Sequence, residues 1–96
     1  MIVHFKSKGA EDLYHGIDSK DARKIPQEIW STALRKLDML NTAAELRDLK
    51  APPGNHLEAL RGRFKGKWSI RINDQFRLVF VFQDGNADQV EILDYH

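Results

Sequence analysis

The chain has 96 residues, of which 42% are hydrophobic and 30% are charged, and it contains no cysteine. This length and composition fit one small domain spanning residues 1–96. The absence of cysteine excludes disulfide scaffolds and thiolate chemistry. The sequence also has no apolar run of the roughly 20 residues that a bilayer-spanning helix needs. The opening segment MIVHFKSKG has no signal-peptide core, so we expect a cytoplasmic protein that does not associate with a membrane.

The net charge of +1 conceals an uneven distribution along the chain. Residues 61–77 hold six basic and one acidic residue, a local charge of +5, whereas the other residues hold nine basic and 13 acidic groups, a charge of −4. A concentrated basic segment attracts phosphate groups, which makes nucleic acid a candidate partner. The alternative is a solvated edge of lysines and arginines that discourages strand aggregation.

The first half of the chain predicts mainly helices. MIVHF predicts a short first strand ending near Lys6, and SKGAEDLYHG predicts a short helix closed by Gly16. PQEIWSTALRKLDMLNTA is the clearest helix, because its apolar residues recur every three or four positions. These residues are Ile29, Trp30, Ala33, Leu34, Leu37 and Leu40.

A short connection follows this helix. AELRDLK predicts one or two further helical turns, and the two prolines and the glycine of APPGN end the helical region. Beyond this break the hydrophobic period changes from about 3.6 residues to two, which indicates strands.

The second half predicts an antiparallel sheet. The predicted strands are HLEALR at an edge, KWSIRI, FRLVFVF and QVEILDYH, and a turn at DGNAD has positive φ at Gly85 and Asn86. Helices followed by such strands predict an α+β fold, in which a small antiparallel β-sheet packs against N-terminal helices that cover one of its sides.

The parity of the apolar residues fixes the register of the central hairpin. The apolar positions of both arms are even-numbered, from Trp68 to Phe82, so they share a face only if a three-residue loop, 73–75, pairs Ile72 with Phe76. Arg71 then faces Arg77 on the other side of the sheet, together with Lys67 and Ser69. Two facing guanidinium groups repel, and a phosphate relieves that repulsion. The alternative is neutralisation by a carboxylate: Glu58, Glu91 or Asp94.

Three segments carry a family resemblance. GKWSIRINDQFRLVF, the terminal VEILDYH and the upstream PPGNHLEALRG together resemble the HigB branch of the RelE/ParE toxin superfamily, and the similarity runs from MIVHFKSKG to the final DYH. The resemblance implies a small antiparallel sheet packed against N-terminal helices. It also implies a toxin of a type II toxin–antitoxin system that cleaves mRNA on the ribosome without a metal ion or another cofactor, by attack of the ribose 2′-hydroxyl on the adjacent phosphate.

The resemblance also implies the partners. These are a HigA-type antitoxin with a helix-turn-helix, the ribosome with its mRNA, and operator DNA reached only through the antitoxin complex. The histidines His4, His15 and His56 are scattered and show no ligand spacing, so we assign no metal site.

Candidate site residues follow by position from the same resemblance. Arg77 matches the arginine that holds the scissile phosphate, and Tyr95 and His96 match a C-terminal aromatic–histidine pair. Glu58 stands where a relative can carry histidine and Arg61 where others carry lysine, so the identity of the general base stays open between His96 and Glu58. His96 has an ordinary pKa near 6.5, which suits proton transfer.

The remaining candidates bind RNA rather than transfer protons. Arg71 adds positive charge beside Arg77, and Asn73 lies in a turn position that is basic in some relatives. Basic residues of the segment 61–77 are expected to contact the RNA backbone without sequence preference; they are Arg61, Arg63, Lys65 and Lys67. For each of these four, a solvated surface charge is the alternative.

Two other functions remain open at this point. A non-nucleolytic toxin, such as those of the ParE branch, would poison a protein target such as DNA gyrase and leave mRNA intact. An interaction module that has lost activity would not arrest growth, and Glu58 and Asn73, which stand where relatives are more basic, keep this possibility open.

Overall fold

The computed structural model describes residues 1–94, in which two α-helices precede a four-stranded antiparallel sheet. The elements are α1 (Lys8–Tyr14), α2 (Trp30–Thr42), β1 (Glu58–Ala59), β2 (Trp68–Arg71), β3 (Phe76–Gln83) and β4 (Asn86–Asp94). The strands lie side by side in chain order, and each pairs antiparallel with the next. The α+β fold predicted from the change in hydrophobic period is therefore confirmed.

Both predicted helices form, with boundaries set by local chemistry. Ser7 caps α1 by accepting a hydrogen bond from the backbone N–H of Ala10. A 3₁₀ turn at Gln27–Ile29 precedes α2, so the α-helix begins later than the predicted Pro26. The connection that follows contains two short 3₁₀ turns, Leu46–Lys50 and Pro53–Asn55.

The β2–β3 hairpin has the register that the parity argument predicts. Ile70 pairs with Leu78 and Arg71 with Arg77. The backbone N–H of Ile72 donates to the carbonyl of Phe76 at 3.0 Å, which closes a three-residue loop. All apolar even-numbered positions of the two arms therefore lie on one face.

The β3–β4 turn differs from the prediction. Asp84 and Gly85, rather than Gly85 and Asn86, have positive φ, and they form a two-residue loop between the paired residues Gln83 and Asn86. Gln89 also has positive φ, of 50°, and marks a bulge between the two halves of the β3–β4 pairing. The bulge reverses the alternation along β4, so that both Ala87 and Val90 are fully buried.

The N-terminal segment pairs with the outer edge of β4. Ile2 bridges Ala87 and Phe5 bridges Val90, both in parallel orientation. The predicted first strand is thus reduced to two isolated bridges, and Lys6 donates its backbone N–H to Val90 at 2.9 Å. This pairing brings residue 6 beside the sheet.

The two faces of the sheet have different roles. One face packs on α1 and α2 around a core that includes Leu37, Ile70, Leu78 and Phe80, each fully buried. We call this side the core face; the helices cover it, as predicted. The opposite side carries polar and charged residues and positions the candidate site. Neither helix within residues 1–94 is long and apolar enough to cross a bilayer.

Candidate active site

The site face is the side of the sheet turned away from the helices. Residues paired directly across adjacent strands project to the same side. One row therefore runs Glu58, Ser69, Val79, Glu91 across β1–β4, and a second runs Arg71, Arg77, Leu93 across β2–β4. Ser69 and Val79 are fully buried, so charged groups of this face surround a small buried floor.

Arg77 is held at the centre of the site face by two hydrogen bonds. Its Nε donates to the Ser69 hydroxyl at 2.8 Å, and its Nη2 donates to the backbone carbonyl of His56. A guanidinium has five N–H donors, so three of them have no partner among residues 1–94. A fixed, half-buried guanidinium with free donors is suited to bind a phosphodiester.

The loop that presents the His56 carbonyl is anchored from below. His56 has left-handed backbone geometry, with φ of 45°. The preceding Asn55 is fully buried and donates to the carbonyls of Leu49 at 3.1 Å and Ala51 at 3.3 Å. Its side-chain oxygen accepts a hydrogen bond from the ammonium group of Lys36. A buried chain of contacts thus connects α2 with the arginine on the site face.

Lys36 is a buried cation within this chain of contacts. Burial lowers the pKa of Lys36, and the positive charges of Arg35 and Arg71 lower it further. The side chain is 94% buried, and its hydrogen-bond partner is the neutral amide of Asn55 rather than a carboxylate. The proximity of Arg71 shows that positive charge is concentrated around the hairpin.

Arg71 faces Arg77 as predicted, and its ion-pair partner comes from the hairpin loop. The carboxylate is that of Asp74, rather than Glu58 or Glu91. Asp74 is almost fully exposed, so this ion pair is weak, and RNA binding by Arg71 stays a prediction. The third predicted neutraliser, Asp94, accepts a hydrogen bond from Gln75 at 2.8 Å.

Asn73 shapes the hairpin loop. Its side-chain oxygen accepts hydrogen bonds from the backbone N–H groups of Gln75 at 2.9 Å and Phe76 at 2.7 Å. These contacts stabilise the three-residue turn. The structure therefore gives Asn73 a local role, and an RNA contact by this residue stays a prediction.

Glu58 lies on the site face at the open edge of the sheet. It pairs with Ser69, the residue that holds Arg77, and its side chain is exposed. No ion pair of Glu58 occurs among residues 1–94. Glu58 thus lies on the row next to that of Arg77, and its role as a general base stays a prediction.

The basic candidates between β1 and β2 divide into two groups. Arg61, Arg63 and Lys65 are exposed around a 3₁₀ turn at Gly62–Phe64, and the Arg63 guanidinium lies 5.0 Å from the centre of the Phe64 ring. Lys67 is different, because its side chain is only 13% exposed and its Nζ lies 3.6 Å from Glu91. Lys67, which immediately precedes β2, is the only one of these four whose side chain is largely buried.

Two of the predicted catalytic residues, Tyr95 and His96, lie outside the described residues. The last described residue, Asp94, pairs with Phe76 and is therefore one position from Arg77 along the hairpin register. The roles of Tyr95 and His96 stay predictions. Among residues 1–94, no three His, Asp or Glu side chains gather in a way that could hold a metal ion.

Three contributors to the site were not predicted from the sequence. Lys6 joins the site face from the other end of the chain, with its Nζ 3.6 Å from Glu91. The His56 carbonyl is a backbone atom and has no sequence signal. The Lys36–Asn55 contact joins α2 to the proline-rich loop. The sequence shows only that Lys36 lies within a helix that otherwise packs on the core, and this does not identify its partner.

The comparisons with known proteins agree with this architecture. A family model described as the RelE-like toxin of type II toxin–antitoxin system HigB matches residues 3–96. Toxin HigB-1 of Vibrio cholerae serotype O1 is 45% identical over 87 residues, covering 91% of this chain and 90% of that protein. Endoribonuclease HigB of Proteus vulgaris is 30% identical over 101 aligned positions, covering both chains completely.

Solved structures show the same fold at lower sequence similarity. The YoeB–YefM toxin–antitoxin heterotetramer of Staphylococcus aureus contains a chain that matches with a TM-score of 0.59 and 19% identity, over 100% of this chain and 95% of that one. The YoeB/ParE toxin of Agrobacterium tumefaciens matches with a TM-score of 0.53 and 18% identity, over 99% and 98%. The sequence relatives together with this fold lead to one conclusion: the chain belongs to the HigB family of RelE-like toxins of type II toxin–antitoxin systems.

Proposed function

We propose that this toxin is a metal-independent endoribonuclease that cleaves mRNA on the ribosome and so inhibits translation. The observation that carries the proposal is the guanidinium of Arg77, fixed by Ser69 and His56 with donors left free. The Proteus vulgaris relative named as an endoribonuclease supports the reaction class. The YoeB/ParE toxin of Agrobacterium tumefaciens is only 18% identical to this chain, so its similarity concerns the fold and does not support a ParE-like function.

The proposed reaction is the one that the family resemblance implies. A base takes the proton of the ribose 2′-hydroxyl, and the resulting oxygen attacks the adjacent phosphorus. The bond to the 5′-oxygen of the next nucleotide breaks, and an acid gives that oxygen a proton. The products carry a 2′,3′-cyclic phosphate and a 5′-hydroxyl. Arg77 stabilises the negative charge that builds up on the phosphorane.

We assign Glu58 as the base and His96 as the acid in this proposal. Glu58 is an exposed carboxylate on the row next to Arg77 and is the candidate base within the described residues. His96 is the candidate acid, because histidine is the side chain that commonly exchanges protons near neutral pH. If the two roles are exchanged, Glu58→Gln would reduce the rate at acidic rather than at neutral pH, which a pH–rate profile distinguishes.

The partners proposed for this toxin are a HigA-type helix-turn-helix antitoxin and, through the complex with it, operator DNA. The Staphylococcus aureus structure is a toxin–antitoxin complex and supports an antitoxin partner in general terms. Co-production of the toxin with a candidate antitoxin, followed by co-purification and operator binding, tests this part of the proposal.

The test of the activity uses ribosome-bound mRNA and the purified toxin. We expect cleavage within the translated region, with product ends that carry 5′-hydroxyl groups. A 2′-deoxy substitution at the cleaved nucleotide should abolish the reaction at that site, because the nucleophile is missing. Cleavage of the deoxy-substituted mRNA at the same position would contradict the mechanism. Intact mRNA together with growth arrest would favour a protein target, and no growth arrest would favour an inactive module.

A further inference from the structure

A cavity next to Arg77 is not used by the reaction described above. Its volume is about 270 Å³, and six residues line it: Lys6, Arg63, Phe64, Lys67, Glu91 and Leu93. We call it the lysine cavity. Leu93 pairs directly with Arg77 across β3 and β4, so the cavity begins beside the guanidinium that is proposed to hold the scissile phosphate.

Two lysines converge on one carboxylate inside this cavity. The Nζ atoms of Lys6 and Lys67 each lie 3.6 Å from Oε2 of Glu91. The Glu91 side chain is 90% buried, and its Oε2 has no hydrogen-bond partner among residues 1–94. A separation of 3.6 Å is too long for an N–H···O hydrogen bond. The carboxylate therefore attracts both ammonium groups by charge but accepts no hydrogen bond from them.

The charges and donors of the lysine cavity are complementary to a phosphate. Lys6, Lys67 and Arg63 supply three positive charges against the single negative charge of Glu91. Each ammonium group has three N–H donors, and lysine is a common point-charge binder of phosphate. A phosphate oxygen placed between the two lysines would satisfy donors that Glu91 leaves unused.

The remaining walls of the lysine cavity are apolar. Phe64 supplies an aromatic ring and Leu93 an aliphatic surface. A base of any identity can stack on an aromatic side chain, because every base has a π-face. The cavity thus offers cations for a phosphate and, beside them, an apolar wall for a planar ring. Its volume lies slightly below the range of about 300–1,000 Å³ typical of drug-sized ligands, so the cavity would enclose a nucleotide only in part.

We propose that the lysine cavity binds the nucleotide next to the cleaved one, with Lys6 and Lys67 on the flanking phosphate and Phe64 and Leu93 against the base. This inference rests on the proposed function. The subsite contributes affinity and fixes the position of the strand over Arg77, without reading the base. Glu91 acts as a positioning residue, because it holds the two ammonium groups together at the cavity wall.

The test combines a neutral phosphate with a lysine variant. Ribosome-bound mRNA carries a methylphosphonate in place of either phosphate flanking the cleaved one, and cleavage is measured with wild type and with Lys6→Gln. Lys6 is half exposed and lies at the sheet edge, so this variant should fold. With native mRNA, the loss in Lys6→Gln should fall on KM rather than kcat, and the salt dependence of the affinity should decrease by roughly 0.7 in slope.

The modified mRNA gives the decisive comparison. One flanking methylphosphonate should raise the KM of wild type by about tenfold and should have little further effect on Lys6→Gln, because the interaction is already lost. Equal losses in both proteins at both positions would overturn the inference, and so would a Lys6→Gln variant with wild-type KM. Weakened binding to antitoxin or to mRNA-free ribosomes, with mRNA affinity unchanged, would also overturn it.

Controls separate this inference from the proposed function. Lys20→Gln changes an exposed lysine away from the sheet and should leave KM unchanged. If wild type cleaves mRNA and Arg77→Ala does not, the proposed function stands whatever Lys6→Gln shows. If wild type cleaves no mRNA, the proposed function itself fails.

Discussion

Ile70 and Leu78 face each other on one side of the β2–β3 hairpin, and Arg71 and Arg77 face each other on the other side. The first pair is fully buried against the helices, and the second is half-buried with donors available to a ligand. Facing apolar residues stabilise a sheet, whereas facing like charges destabilise it. The same backbone therefore supports stability on the core face and places charge on the site face where stability alone would not favour it.

The comparison predicts that substitutions on the two faces will have different consequences. A core-face change should reduce the free energy of unfolding and affect activity only through the folded fraction. A site-face change should reduce activity while the free energy of unfolding changes little.

The largest expected effect on stability comes from the centre of the core face. Phe80 is fully buried, and Phe80→Ala should reduce the free energy of unfolding by about 3–5 kcal/mol, because it removes the ring and leaves a cavity. Urea denaturation followed by circular dichroism measures this change. The control is Val81→Ala on the half-buried side of the same strand, where we expect a much smaller loss. Similar losses in both variants would remove the distinction between the faces.

The connection between the faces predicts the next largest effect. Asn55→Ala leaves two backbone carbonyls and the buried Lys36 ammonium without their partner, so the free energy of unfolding should fall by about 2 kcal/mol or more. Cleavage per folded molecule should also fall, since the loop presents the His56 carbonyl to Arg77. In the matched control Asn41→Ala, which removes one acceptor for the Ile2 backbone N–H, cleavage per folded molecule should be retained. Full activity of folded Asn55→Ala would separate this loop from the site.

Ser69 tests the positioning of Arg77 with a smaller change. Ser69→Ala removes the acceptor of the Arg77 Nε, so the cleavage rate should fall about tenfold while the free energy of unfolding falls by about 1 kcal/mol. Ser31→Ala, on the exposed surface of α2, is the control. An unchanged rate would show that the second contact, to His56, suffices to hold the guanidinium.

The smallest effect concerns the facing arginines themselves. Arg71→Gln removes one like charge and a weak, exposed ion pair with Asp74, so the protein should become more stable by up to about 0.5 kcal/mol. Its affinity for RNA should decrease and depend less on salt. The control is Arg47→Gln, which removes an exposed ion pair with Glu45. It should change neither the free energy of unfolding nor the affinity for RNA. A loss of stability in Arg71→Gln would mean that the repulsion is already offset within the hairpin.

Local patterns predicted most of the fold and of the hairpin. The even-numbered apolar positions from Trp68 to Phe82 permit only one hairpin parity, and the observed pairing of Arg71 with Arg77 follows from it. The β3–β4 turn was assigned one residue too late, because Asp84, Gly85 and Asn86 all tolerate positive φ. The bulge at Gln89 has no signal in composition.

The candidate site was predictable only where it follows strand alternation or the family resemblance. Glu58 lies on the site face because it pairs with Ser69. Arg77 lies there because it pairs with Arg71, two residues from Ser69 along β2. The contact between Lys6 and Glu91 joins residues 85 positions apart and depends on parallel docking of the N-terminal segment along β4. Such a contact is set by tertiary packing, which the period of a single strand does not encode.

The central claim is that Arg77 supplies the positive charge for RNA cleavage without contributing to the core. The direct measurement is the single-turnover rate of cleavage of ribosome-bound mRNA by Arg77→Ala, taken together with the urea midpoint of the same preparation. We predict a rate at least about 100-fold below that of wild type, with a free energy of unfolding, taken from the urea midpoint, that falls by only about 1–2 kcal/mol because two hydrogen bonds of Arg77 are lost. A wild-type rate in the folded variant would contradict the assignment of the active site to this face.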